Sequence, residues 1–572
     1  MAAIRPEKEQ KKESAMAPDF DPQYLSPLDQ LMPRGYFGQI LCFPSTDPRA
    51  FDVLRNGLRS TAVSIPYLTS FVVEDKSPGS GSGRIRLSES GLDSINDMLV
   101  YRDTIVNENE NDNGMSDPDD VHDEKNPLSY AGLRAASFPI GVLNGSVFYP
   151  QIPPHGSIPA PVLRAQATRI AGGFTLAVLV HHSVFDGASL AELLALWADS
   201  CHLDPEKHEP VALNPLRIDR KALVEDSMKP LAAGSDIVTK PSDIYIETPA
   251  DAAATSTESY HAMRIVKYFI ARVVRPCLSL PTARRPPPVT SAVPSPPFTL
   301  ATTLYRVSGA SLAGLKAQIG RLAPRLGLGV DFVSTHDVLS ALIWSAATLA
   351  MTPPPDTLSS PSRWWWRRAT RGSGTEQDDN QTCTTGMAVD VRTRVSPPLR
   401  RDWLGNAFGV AWVGIPRGTL VAAAGDGGSL VPLARVAAAL RRGIGSVDNA
   451  RVKHTVRYLA AQDDVGALRW PDVRMFDFYV SSWVGQGILY GKDWGARSGG
   501  VAVEGMKCEA IRCLQLVIPS IAVILPPRPR YQTEEGGNGA DLEFAITLEA
   551  AQMERFRASL LVAAFAEVID AC

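Results

Sequence analysis

At 572 residues the chain is too long for a single hydrophobic core, so two large domains are the natural expectation. Apolar residues make up 45% and charged residues 21%, the ordinary make-up of a globular protein. With 57 Lys and Arg against 61 Asp and Glu, the net charge of −4 leaves no electrostatic footprint for nucleic acid.

Residues 1–18 are rich in Lys and Glu and lack an apolar run, so they read as a disordered tail and not as a secretory signal. Residues 19–225 form the expected N-terminal domain, first marked by Leu-Ser-Pro-Leu-Asp at 25–29 and a strand-like run at 40–43. Leu54, Leu58, Ala62 and Val63 then space like one face of a helix. Residues 103–127 are dense in Asp, Glu and Asn and almost without apolar anchors, which predicts an acidic surface insertion. Residues 174–180 (Phe-Thr-Leu-Ala-Val-Leu-Val) read as a buried strand that stops at two histidines. A helix is predicted over 188–201, with Leu190, Leu193, Leu194 and Trp197 as its stripe and Ser189 with Glu192 as a capping box.

Residues 226–297 read as a crossover connection, partly helical around 260–273 and Pro-rich over 284–297. The second domain, 298–572, opens with a strand at 299–307 and an amphipathic helix at 311–322. A helix at 335–349, a loop insertion at 361–382 and a strand at 386–395 follow. The insertion carries Trp364, Trp365 and Trp366 and is expected to fold onto its own domain, with a membrane-interface or partner contact as the alternative. The chain ends in a helix whose inward face would be Met553, Phe556, Leu560 and Phe565. Alternating strands and helices in both halves indicate an α/β sandwich. The most apolar stretch, 514–525, is broken by Pro519 and falls short of the roughly 20 residues that span a bilayer. The seven cysteines are scattered, with no C-x-x-C pair, which fits reduced thiols in the cytoplasm and no zinc site.

The chemistry concentrates at 181–187, His-His-Ser-Val-Phe-Asp-Gly, on a strand-to-helix turn. A neutral imidazole at the end of a rigid strand suits a general base, because its pKa lies near working pH. Asp186, four residues on from His182, can return under the turn or reach a cation, and Gly187 would permit tight backbone geometry before the helix. His182 and Asp186 offer two metal ligands without a third cluster, and no G-x-S-x-G elbow holds a nucleophilic serine. Direct attack by a bound substrate, with His182 removing its proton, is the remaining chemistry.

The His-His-x-x-x-Asp-Gly segment resembles the active-site motif of the CoA-dependent acyltransferase superfamily, which includes BAHD enzymes and nonribosomal condensation domains. Further segments are similar to the BAHD side, and to fungal trichothecene 3-O-acetyltransferase-like members in particular. They are Leu-Ser-Pro-Leu-Asp at 25–29 with Tyr36, Gln166–Ala167 with Gly172–Gly173, and Ser-Thr-His-Asp-Val-Leu-Ser-Ala-Leu-Ile-Trp at 334–344. Asp-Val-Arg-Thr-Arg at 390–394 with Gly405–Asn406–Ala407, Ser-Ser-Trp at 481–483 and Asp-Trp-Gly at 493–495 complete the set, in family order over roughly residues 20–560.

The resemblance implies a two-domain α/β fold, chloramphenicol acetyltransferase-like, with a channel between the halves. Acyl-CoA, as co-substrate and not a resident cofactor, would enter one face and a small-molecule alcohol the other, meeting at His182. It also implies that Asp186 is structural and paired with an arginine, with Arg392 the preferred partner and Arg394, on the same strand face, the alternative. Gly187 would keep the channel open, and Ser482 and Trp483 would line it on the CoA side. Asp493 and Gly495 belong to a structural motif that here reads Asp-Trp-Gly-Ala-Arg where plant members have Asp-Phe-Gly-Trp-Gly. The expected enzyme is a monomeric acyl-CoA-dependent O-acyltransferase acting on secondary metabolites, with acetyl the expected acyl group. The competing readings are a condensation-type enzyme fed by a carrier protein and a silent relative that only binds.

Overall fold

The computed structural model describes residues 21–105, 128–225, 227, 245–246, 299–352 and 379–571, apart from short gaps at 78–80, 82, 90–94, 144, 204–209, 426–427, 464, 466–467, 470–476, 496, 499–500, 514–518 and 530–539. The acidic insertion beyond residue 105, the helical and Pro-rich parts of the crossover, and the Trp364–Trp366 loop lie outside the described residues.

Among the described residues each half is built on one large sheet. The first has five strands in the order Ala510–Cys513, Tyr36–Phe43, Gly173–His181, Leu163–Ile170, Leu99–Asp103. Gly173–His181 is its central strand and is buried along its whole length, which explains why its sequence is apolar at nearly every position and does not alternate. A tight hairpin feeds it, with Gly172 at a φ of 80°, a left-handed conformation that glycine adopts without cost. Antiparallel pairing sets Tyr36 opposite His181, so the histidines emerge at the same end of the sheet as residues 34–37.

The second sheet runs Phe408–Pro416, Thr382–Asp390, Phe478–Ser482, Ile521–Ile524, Leu542–Glu549, Leu300–Val307, Ala566–Ala571. Its core is the long helix Thr335–Met351, buried almost all round. The two halves interlock, because Ala510–Cys513 comes from the second half yet forms the edge of the first sheet. Arg512 on that strand is ion-paired at 2.7 Å to Glu543 of the second sheet, and both side chains are fully buried.

Several expectations need correction. The helix after the histidines is Gly187–Ser200, and its capping box is Asp186 with Ser189, not Ser189 with Glu192. Gly187 is absent from the positive-φ glycines, so tight backbone geometry is not its role. The strand expected to run through residue 395 stops at Asp390, whose carboxylate accepts from the Arg392 N–H at 2.9 Å and turns the chain. Arg392 and Arg394 therefore lie on a turn and share no strand face. Leu54, Leu58 and Ala62 are buried in the helix Ala50–Ser64, but Val63 points to solvent. The terminal helix is two short ones, Ala550–Arg557 and Leu560–Phe565, which leaves Leu560 exposed. Among the described residues no helix is long and apolar enough to cross a membrane.

Candidate active site

His182 follows the last residue of the central strand. Its backbone N–H donates to the Gly35 carbonyl at 2.8 Å, extending the ladder by one bond. The Val184 and Phe185 N–H groups then both donate to the His181 carbonyl, closing a tight turn. That turn folds the Phe185 carbonyl back to within 3.2 Å of His182 Nδ1. A carbonyl can only accept, so Nδ1 carries the hydrogen and Nε2 of the neutral ring keeps its lone pair. The half-buried ring lies between Phe37 of the first sheet and Phe408 of the second, at centroid distances of 4.5 and 6.3 Å. Burial pushes its pKa below the ordinary imidazole value, and the Asp186 charge and local backbone bonds only partly offset that.

His181 has a different environment. It is 1% exposed, Tyr36 stacks edge-on against it, and its Nδ1 accepts from the Ser183 N–H at 3.3 Å. Burial, with help from Arg34, lowers its pKa to about 3, so it is a neutral packed residue.

Asp186 caps the helix, accepting from the Ser189 N–H at 2.8 Å. The same carboxylate receives Arg392 Nη2 at 2.9 and 3.1 Å and the Ala407 N–H at 2.9 Å. Burial alone would raise its pKa, but the Arg392 charge and these donors outweigh it and hold the carboxylate ionised. Arg392 is itself fixed by the Trp403 and Gly405 carbonyls and by Asp390. Arg394 points elsewhere, donating to the Ile444 and Val447 carbonyls at the C-terminal end of the helix Val431–Gly445.

Gly187 faces the second half. A Cβ there would meet Gln486 Nε2 at 3.6 Å and Trp483 Nε1 at 4.0 Å, so its missing side chain leaves space between them. Gln486, which the sequence did not single out, donates to the Gly187 carbonyl at 3.2 Å. Trp483 is half-buried, while Ser482, at the end of its strand, is exposed.

Asp493 and Gly495 lie at the other end of the helix. The Asp493 carbonyl partners His202 Nε2 at 2.8 Å, its carboxylate takes the Gly495 N–H at 2.9 Å, and buried Trp494 packs on Phe43 and Trp197. A helix of 14 residues is about 20 Å long, so this motif braces the core away from the histidine turn.

A further buried ion pair at the site was not legible in the sequence. Asp29 and Arg220 meet at 2.8 Å, and Asn406 joins Asp29 to the His182 carbonyl. Asp29 and Asn406 fall within segments that carry the family resemblance, but Arg220 sits in a loop with no pattern to mark it.

Comparison with known proteins settles the family. The trichothecene 3-O-acetyltransferase-like N-terminal domain matches residues 37–201, and the transferase family matches 146–270 and 329–560, more than half of the chain. The chain belongs to the transferase family. It is a BAHD-type, acyl-CoA-dependent O-acyltransferase with the two-domain α/β fold.

Among curated relatives, this transferase is 24% identical to O-acetyltransferase astG of Aspergillus oryzae over 490 residues, covering 81% of this chain and 88% of that one. It is 26% identical to hydroxycinnamoyltransferase 2 of Oryza sativa subsp. japonica over 410 residues, covering 69% and 68%. The crystal structure of F. sporotrichioides TRI101 with coenzyme A and T-2 shares the fold at a TM-score of 0.62 and 18% identity, over 95% of this chain and 99% of that one.

Proposed function

We propose that this transferase moves an acyl group, acetyl in the first instance, from acyl-CoA to a hydroxyl of a secondary metabolite such as a terpenoid or polyketide alcohol, with His182 as general base. The observation that carries the proposal is the tautomer: the Phe185 carbonyl holds the hydrogen on Nδ1 and leaves the Nε2 lone pair free on a ring lying between the two halves. The acceptor hydroxyl gives its proton to Nε2 as its oxygen bonds to the thioester carbonyl carbon. The Trp483 indole N–H, 4.0 Å from where a Gly187 Cβ would stand, would serve as a donor to the oxyanion of the tetrahedral intermediate. Collapse breaks the C–S bond, and the departing thiolate recovers the proton from His182. Acyl-CoA is consumed at each turnover, as a co-substrate.

A groove of about 680 Å³ lies beside the helix Gly309–Arg325 and would be a candidate path for the donor. Lys316, Thr335 and Pro527 line it, and the N-termini of two 17-residue helices, at Gly309 and Thr335, lie beside it. Pro527 follows the strand Ile521–Ile524, whose Ile524 carbonyl takes the Trp483 N–H at 2.7 Å, so the groove adjoins the Trp483 segment.

The proposal extends to a monomer in the cytoplasm. The cysteines among the described residues are free and buried, which fits a reducing compartment.

Purified protein supplied with acetyl-CoA and a panel of alcohols should release CoA thiol in step with an acetylated product seen by mass spectrometry. The base must be neutral to act, so kcat/KM should rise with pH through the lowered pKa of His182 and be flat by neutrality. An acid limb centred above 6.5 would contradict a buried imidazole base.

A further inference from the structure

We propose that Asp29, Arg220 and Asn406 form a positioning device for His182, holding the histidine turn by its backbone carbonyls in addition to the hold that Arg392 has on Asp186. The inference rests on the reading of His182 as the base. Three segments remote in sequence converge on this turn. Asp29 Oδ2 accepts from Arg220 Nη1 at 2.8 Å, while Oδ1 accepts from the Asn406 N–H at 3.1 Å and from its Nδ2 at 2.7 Å. Each partner then reaches the turn. Asn406 Nδ2 donates to the His182 carbonyl at 2.9 Å, and Arg220 Nη2 donates to the Val184 carbonyl at 2.9 Å. All three side chains are at most 4% exposed, and Arg220 also lies 5.1 Å over the ring of Tyr67.

The geometry has a chemical consequence. Phe185, whose carbonyl fixes the His182 tautomer, stands between Val184, held by Arg220, and Asp186, held by Arg392. The peptide that presents the acceptor to Nδ1 is thus fixed on both flanks. Buried ion pairs add little net stability compared with apolar packing, so geometric definition is the better account of two such pairs around one turn. Without the Asp29 device the Phe185 carbonyl is free to swing, Nδ1 loses its partner, and the lone pair is no longer assigned to Nε2. Water entering the loosened turn would also return the ring towards its ordinary pKa.

Two variants test this, with His182→Ala run beside them. Arg220→Lys keeps a cation opposite Asp29 but cannot fork to the Val184 carbonyl as well. Asn406→Ala removes the bond to the His182 carbonyl. With acetyl-CoA and an accepting alcohol, each should lower kcat about 10- to 100-fold, as a misplacement near 1 Å does. KM for acetyl-CoA should stay within about twofold, and the acid limb of the pH profile should move up towards 6.5. Thermal melts establish that the measured protein is folded, and the milder Arg220→Lys decides the matter if Asn406→Ala does not fold. Unchanged kcat and an unmoved acid limb in folded variants, with His182→Ala dead, would overturn the positioning device alone. Activity surviving in His182→Ala would instead overturn the reading on which it rests.

Discussion

Replacing His182 with alanine lowers kcat/KM by on the order of 10²–10⁴ and leaves the fold intact, as expected for loss of a positioned base. The ring is half-buried and makes one hydrogen bond, so little of the surrounding structure depends on it. His181→Ala has the opposite signature. That ring is packed against Tyr36 and held neutral, so its loss creates a cavity and lowers the melting temperature more than the turnover. Steady-state kinetics and thermal melts on both variants separate the two roles. An inactive His181→Ala beside an active His182→Ala would overturn the assignment of the base.

Asp186→Asn should cost both stability and activity. Every partner of this carboxylate donates: Arg392 Nη2, the Ala407 N–H and the Ser189 N–H. An amide of the same shape must turn its NH₂ towards one of these donors, and it leaves the buried Arg392 with only the exposed Asp390 carboxylate to balance its charge. Breaking such a pair from one side costs about 3–5 kcal/mol. The expected result is a melting temperature several degrees lower, with activity falling together with the geometry of the turn. Folding lowers the Asp186 pKa, so the contribution is present at neutral pH and is lost on acidification once the carboxylate protonates. A variant that melts like the wild type would show that Arg392 does not depend on the pair.

The parts of the site that were legible in the sequence are those made by neighbours along the chain. An apolar run, two histidines and a periodic helix define the strand, turn and helix of residues 173–200, because each follows from local pattern. The N-cap was misplaced by one turn. Ser189–Glu192 and Asp186–Ser189 both have capping spacing, and the anchoring of Asp186 by Arg392 decides between them. Pairing of Asp186 with Arg392 spans 206 positions, a separation that no local pattern encodes, and only the family resemblance suggested it. The end of the strand at Asp390 was missed because the turn depends on one side-chain bond to Arg392 N. Arg220 was invisible for the same reason as most tertiary anchors: its role is set entirely by what three distant segments bring to it.

Initial rates over a matrix of acetyl-CoA and acceptor concentrations, with intact mass of the protein followed during turnover, test the central claim most directly. Direct transfer assisted by His182 predicts intersecting double-reciprocal lines, one CoA thiol released per product, and an unmodified chain throughout. Parallel lines with an acyl group retained on a cysteine or serine would contradict it.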